Sequence, residues 1–592
     1  MRKEKKVKGE FSKTNERLFS SVEISSIGTV GTLRLLRGGV ARFFSFITRS
    51  LAYTSVRSYG CFFLSFGILS LLLNLGEYYF TAEPEVPLSA LVISMALALL
   101  SAPLILFDSP MSIAVQNFSL TDKLFFEFFA IKRMRRNATH ASISPLFAIF
   151  LGFIPAAVGF FVPLEWVLLI ISVAVIVTVS FTSPEFPMIL TLLVLPYLQI
   201  IECSVLILSL LSALTFISYA LKVVVGKRVF YLDLYSVSIL LIMALVFFSG
   251  LFGLGYDSHR NSLVFIALLF AYFPTANMII NRRLADCAMS AVIASAVPVS
   301  VISIIEFIVE HSKTPFTPPA YSTPGISAFF VSPTALLAFM LVSATFTLGF
   351  AIQKSKRSER IFYILIFFLE NAVCILVAPP FGWIAAILGF VAYHIIRSRR
   401  IPVGITAFIV VLAHLVFLIP GSVLSSVTDY LGASSLSDKL AEFKEALRIF
   451  SDNSFFGVGI GENSYIAAGA DASGVSNTLL SIAVQEGVFV LILFLILLLM
   501  RFRHFSYYRK YVRTSPMRIA GEFTLLSLVV LLTLGAFENI FADESVLYLF
   551  FAVFGICASA LREAKREYDN RLAYYGDSRS SKSSELDVGI NN

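Results

Sequence analysis

Long apolar runs alternate with short polar turns along nearly the whole chain. A membrane-crossing helix needs about 20 mostly apolar residues. By that measure the pattern predicts spans near 59–80, 88–107, 145–162, 164–182, 186–201, 203–221, 232–254 and 262–281. It continues with 287–310, 326–352, 361–378, 380–397, 401–420, 478–500, 519–537 and 542–561. The spans between 145 and 221 are short and joined by Pro-containing turns, so some could be re-entrant or merge in pairs, and mergers in pairs keep the parity. The expected fold is therefore all-α, a polytopic transmembrane helical bundle of about 14–16 spans with one large extracytoplasmic loop.

The polar positions divide the chain further. Residues 1–58 form a basic segment, and 59–144 a first pair of spans followed by a basic loop. A transmembrane core follows over 145–420, then the long loop 421–477, then a three-helix part over 478–565. The tail 566–592 reads as disordered from about Tyr574, as does Met1–Ser20. Inside the long loop, Ser437–Phe450 has helical spacing, with Leu440, Phe443, Leu447 and Phe450 on one stripe and charges opposite. Such a helix lies on the membrane surface or covers the bundle.

Composition agrees with the pattern. Of 592 residues 57% are hydrophobic and 14% charged, against about 25% charged in a soluble domain. Mean hydropathy is +0.84. The net charge of +8 sits in loops between spans, which points to anionic lipid rather than nucleic acid. With the N-terminus inside, only Arg260, Lys313, Lys439, Lys444 and Arg448 among the 46 Lys and Arg fall outside. That asymmetry predicts a multi-pass protein with both termini cytoplasmic. Trp166 and Trp383 follow outer turns, where an aromatic belt belongs. No cleaved signal peptide is read at the N-terminus. The five cysteines have no metal-ligand or disulfide spacing, which gives no zinc site and no disulfide framework.

One segment carries chemistry. Asp452-Asn453-Ser454-Phe455-Phe456-Gly457-Val458-Gly459-Ile460-Gly461 follows the loop helix. Its glycines fit a phosphate-cradling turn, because they let backbone N–H groups approach an anion. They also fit a flexible loop. No βαβ context supports a dinucleotide fingerprint. The order charged helix, Gly-Val-Gly-x-Gly, Ser476-Asn477-Thr478-Leu479-Leu480, Gln485-Glu486-Gly487 resembles the O-antigen ligase and polymerase family. In that family the loop has an Arg-containing helix, a D-x-P-x-x-G-V-G-x-G turn and an H-N/S-x-x-L…E-x-G helix start. Asp543-Glu544, Pro379–Ala386 and Ser332-Pro333-Thr334-Ala335 look similar to further family segments, so the resemblance covers roughly 145–565. It implies transfer of a glycan from an undecaprenyl-pyrophosphate carrier to a glycan or lipid acceptor at the outer leaflet of a bacterial plasma membrane. The resemblance implies no metal and no cofactor.

The chain departs from the family at reactive positions. The family histidine falls at Ser476 and the Arg of its S-R-G segment at Phe381. The Arg before its N-P-N segment is absent from Pro318–Gly325, and Lys439 is only the nearest cation to the helix Arg. Arg grips phosphate bidentately and His works as a base near neutral pH, whereas Phe and Ser do neither. Asn477 and Glu486 remain as matched substrate-binding candidates. Arg260, Lys313, Lys439 and Arg448 are candidates to neutralise a pyrophosphate, and His259 or His311 to replace the base; a solvated loop is the other reading of these residues. Glu306, Glu370, His394 and His414 lie inside spans, where ionisable groups are functional candidates. Two alternatives stand beside transfer: a non-catalytic relative that binds lipid-linked glycan, and a lipid-linked glycan transporter or flippase. The latter calls for midplane charges, which are few here.

Overall fold

A computed structural model describes residues 22–24, 46–47, 50–80, 88–131, 133, 143–201, 203–224, 228–311, 326–377, 380–397, 434–469 and 475–588. The fold is all-α. Eleven described helices are long and apolar enough to cross a membrane, and the protein is a multi-pass membrane protein. Shorter apolar helices, Pro145–Phe161, Glu185–Leu198 and Ile387–Ile396, account for three more expected spans. The expected span 401–420 lies outside the described residues.

The chain divides into two compact units. One comprises Ser26–Pro187 and Ile217–Arg228. In it, α1 (Val56–Phe80) packs against α2 (Leu88–Ser101) and α3 (Pro145–Phe161). Small residues set that contact: a Cβ on Gly67 would lie 2.7 Å from the Ala98 N, and Gly152 meets Phe62 O and Ser65 Oγ. Close backbone approach through small residues is the usual basis of helix packing in lipid. Phe66, Ala90, Ala156, Leu164 and Val167 form the buried cluster, the last two from α4 (Leu164–Thr182). Ser144 caps α3 by accepting from Phe147 N at 3.3 Å, just before Pro145 at the first helical position.

The other unit comprises Met1–Ser25, Met188–Phe216 and Val229–Asn592. The helices α5 (Glu185–Leu198) and α6 (Ser204–Val224) have parts in both units. A short antiparallel ladder joins β1 (Val22–Ile24) to β2 (Phe230–Leu232), a pairing that the basic N-terminal composition did not predict. Then come α7 (Leu234–Phe252), α8 (Ser258–Leu269), α9 (Tyr272–Met278), α10 (Arg282–His311), α11 (Pro333–Gln353), α12 (Arg357–Val377) and α13 (Pro380–Arg397). After the undescribed stretch come α14 (Ser434–Asp452), α15 (Glu462–Ala467), α16 (Thr478–Glu486), α17 (Val488–Thr514), α18 (Arg518–Leu534) and α19 (Glu544–Val588). The centre is α11, α18 and α19, which pack on one another. In α19 94% of the most apolar window is buried and in α11 83%, so these are core helices rather than lipid-facing ones.

Two expected spans are broken. The span predicted at 262–281 is α8 running on into α9 across a turn at Phe270–Ala271, the two together making one of the eleven (Ser258–Met278), and that at 478–500 is α16 followed by α17 with Gly487 between them at φ +86°. The tail, expected to be disordered from Tyr574, is helical to Val588. Once α19 is nucleated in the bundle, each added residue gains one backbone bond. The stripe expected on the loop helix is also rotated. Ala446 and Ile449 are buried, with Phe443 and Phe450 packed beside them, while Leu447 is 40% exposed.

Candidate functional site

The Gly-Val-Gly-Ile-Gly segment is where three distant pieces of chain meet. Gly457 N donates to Asn453 O (3.0 Å), Val458 N to Val484 O (2.8 Å) and Gly459 N to Gln485 O (2.9 Å). Leu254 N donates back to Val458 O, and Val488 N to Ser454 O, both at 2.8 Å. Ser249 Oγ bridges Phe456 O and Gln485 O, and Asn261 Nδ2 reaches Ile460 O at 3.1 Å. Asn463 Nδ2 donates to Asp257 Oδ2 at 2.9 Å. The turn between α7 and α8 and the α16–α17 junction are thus both tied to this segment.

The expectation of a loose loop does not hold, and that of a phosphate-cradling turn fails at residues 457 to 459. The amides of residues 457 to 459 are engaged by chain carbonyls, so they offer no cradle for a phosphate, and the segment is bonded on both sides rather than loose. Glycine is needed for fit. Gly459 has φ +94°, and a Cβ there would overlap Ser258 Oγ and lie 2.9 Å from Gly253 Cα.

Beside it lies a polar layer around α16. Asn477 caps the helix: its Oδ1 accepts from Leu480 N (3.0 Å) and its Nδ2 donates to Ala536 O (2.8 Å). Thr478 N donates to Gly535 O, and Thr478 Oγ1 joins Glu538 O and Ile540 N. Asn539 Nδ2 donates to Ser481 Oγ at 2.9 Å, and the Tyr465 hydroxyl stands 3.4 Å from the same oxygen. Burial pushes the Tyr465 phenol up to about 12. Ser476 donates to Glu442 of α14. Glu486 is buried at the end of α16. Ala446, Ile449, Val458, Tyr465, Val475, Leu480, Ala483 and Val484 form one apolar cluster beneath these groups. Farther along, Asp543 accepts from Gln199 Nε2 (2.8 Å), Ser545 N (2.9 Å) and Val546 N (3.2 Å). Burial raises its carboxyl above the usual range against those bonds.

The structure brings Ser476, Asn477 and Glu486 into this layer but not the described cations or His259. His259 and Arg260 stand exposed on the first turn of α8. Arg448 is exposed on α14, paired with Glu445 at 2.5 Å and Asp452 at 3.8 Å. That hydrogen bond holds the Glu445 carboxyl below its ordinary range. Lys439 lies in α14 and His311 ends α10, both with undescribed side chains; Lys313 and His414 lie outside the described residues. Within the helices, Glu306 accepts from Ala328 N at 2.8 Å and His394 is exposed. Glu370 is fully buried and accepts from Ser343 Oγ.

Sequence reasoning missed Arg501. It is 1% exposed and lies between the rings of Tyr235 and Phe554, its guanidinium carbon 3.9 and 4.0 Å from their centroids. A cation held between rings gains from their quadrupoles. The signal was present: α17 carries its apolar pattern without a break into an arginine. Among the described residues no group of three or more His, Cys, Asp or Glu could hold a metal ion.

Fold and site together define a polytopic all-α membrane protein in which a glycine-bonded cap closes over α16. No protein-family model matches the chain, and no curated protein matches it.

Proposed function

We propose that this chain is an O-antigen ligase- or polymerase-like protein of the bacterial plasma membrane that handles a polyprenyl-pyrophosphate-linked glycan at the outer leaflet. Both termini are cytoplasmic in this reading, and the cap over α16 faces outward. The observation that carries it is the joining of the charged helix, the glycine segment and the Asn477–Gly487 helix in one bonded unit. These are the three segments that resemble the family. In a transfer reaction an acceptor hydroxyl attacks the anomeric carbon, the bond to the pyrophosphate oxygen breaks with inversion, and a base takes the hydroxyl proton. Arg260 with Lys313, Lys439 or Arg448 would neutralise the departing pyrophosphate, and His259 or His311 would be the base, the described ones among them acting from outside the α16 layer.

A specific observation favours a second reading, a non-catalytic relative that binds the glycan carrier. Ser476 and Glu442 are bonded to each other where the family places its histidine, and the Asn477 amide is engaged at both ends. The test is glycan transfer from a lipid carrier in vesicles. Activity abolished by replacing Arg260 and Lys313 with Ala supports transfer. No transfer by the unaltered protein, with carrier binding retained, rejects the enzyme reading in favour of the second. Loss of both rejects the family reading.

A further inference from the structure

At the opposite end of the same unit, the ends of α10, α11, α17 and α18 surround a recess of about 360 Å³. Its rim is Arg282, Gln353, Ser515 and Arg518; Pro516, Ile352, Ile519, Phe523 and Glu522 complete the lining. A volume near the low end of the roughly 300–1,000 Å³ range of ligand pockets suits a headgroup-sized guest.

Both arginines are the first residues of their helices, where the unsatisfied N–H groups add positive potential. Arg518 is held from one side and Arg282 from two. Arg518 Nε lies 3.2 Å from Glu522, and Arg282 Nε lies 3.4 Å from Asp286. The Gln353 amide oxygen accepts from Arg282 Nε and Nη2. Side chains that remain 41% and 49% exposed keep an edge toward the recess. A guanidinium oriented by a carboxylate behind it presents its remaining donors in a fixed fork, the geometry that grips phosphate oxygens. Ile352, 37% exposed at the lip, offers an apolar surface to an acyl chain.

We propose that this recess binds a phosphate group of net negative charge, presented by an anionic membrane-lipid headgroup or as the free ion. It does not depend on glycan transfer.

The test is native mass spectrometry of the full chain released from nanodiscs of phosphatidylcholine with or without phosphatidylglycerol. A parallel arm adds inorganic phosphate to the phosphatidylcholine discs. Arg282→Gln with Arg518→Gln weakens binding about tenfold or more, through loss of two charge-assisted contacts. Because that pair also breaks two ion pairs, Glu522→Gln is measured beside it. It removes the competing carboxylate at constant shape and tightens binding. Phosphatidylglycerol retention that follows these changes supports the proposal with a lipid source. Phosphate binding that follows them, without lipid retention, supports it with a free source. If neither ligand binds, or binding is the same in all three proteins, the proposal is overturned.

Discussion

Replacing Gly459 by Ala tests whether the cap is a bonded unit. Gly459 has φ +94°, outside what an L side chain adopts easily, which costs about 1–3 kcal/mol. The new Cβ would also overlap Ser258 Oγ and stand 2.9 Å from Gly253 Cα, so the segment must move off the α7–α8 turn. That movement stretches Gly459 N to Gln485 O and Leu254 N to Val458 O, at roughly 1 kcal/mol each. A local cost of about 3 kcal/mol or more corresponds to opening that is about a hundredfold more frequent. Hydrogen exchange of the Val458 and Gly459 amides reads it directly, since both donate within the cap. Gly469→Ala is the control: φ is +77° but nothing lies within 4 Å, so strain there leaves exchange at 458 and 459 unchanged. Exchange in Gly459→Ala within about threefold of the unaltered protein would refute the reasoning, because a bonded cap cannot absorb that overlap freely.

Three further outcomes follow from the packing. Ile449→Ala removes a buried anchor of α14 and lowers cap stability by about 2–4 kcal/mol, whereas Leu447→Ser, on the exposed side, changes it by under about 0.5 kcal/mol; thermal unfolding in detergent compares them. Burial lifts the Tyr465 phenol from 10.0 to about 12, so its contribution is complete below pH 10 and is lost as pH rises toward 12. That amounts to roughly 3 kcal/mol, and Tyr465→Phe should flatten the fall in melting temperature between pH 10 and 12. Arg501→Ala empties the space between Tyr235 and Phe554 and lowers the melting temperature, while Arg501→Met recovers most of it, because the guanidinium nitrogens have no hydrogen-bond partner among the described residues. Equal losses in Ala and Met would show that the charge, not the packing, matters.

Much of this protein was legible in one dimension. Length and apolar content determine which segments can cross a membrane, because every backbone polar group in lipid must be satisfied within a helix. Eleven long apolar helices follow from that rule. The interior breaks did not follow: Gly487 and the Phe270–Ala271 junction sit inside runs that hydropathy reads as continuous. The buried face of α14 was misread for a similar reason. Spacing admits Leu447 as readily as Ile449, and only the position of Val458 and Val484 beneath the helix selects one. The glycine segment could be recognised as special from its residues alone, since glycine permits what other residues forbid. Its use was decided by the tertiary structure. Carbonyls from Val484 and Gln485, far along the chain, occupy the amides that local sequence leaves available for an anion. Likewise Ser476 is a polar residue in the sequence and a partner of Glu442 only in the fold. A hydrogen bond between residues distant in sequence exists only after the helices bearing them have packed, and no pattern of polar and apolar positions encodes that pairing.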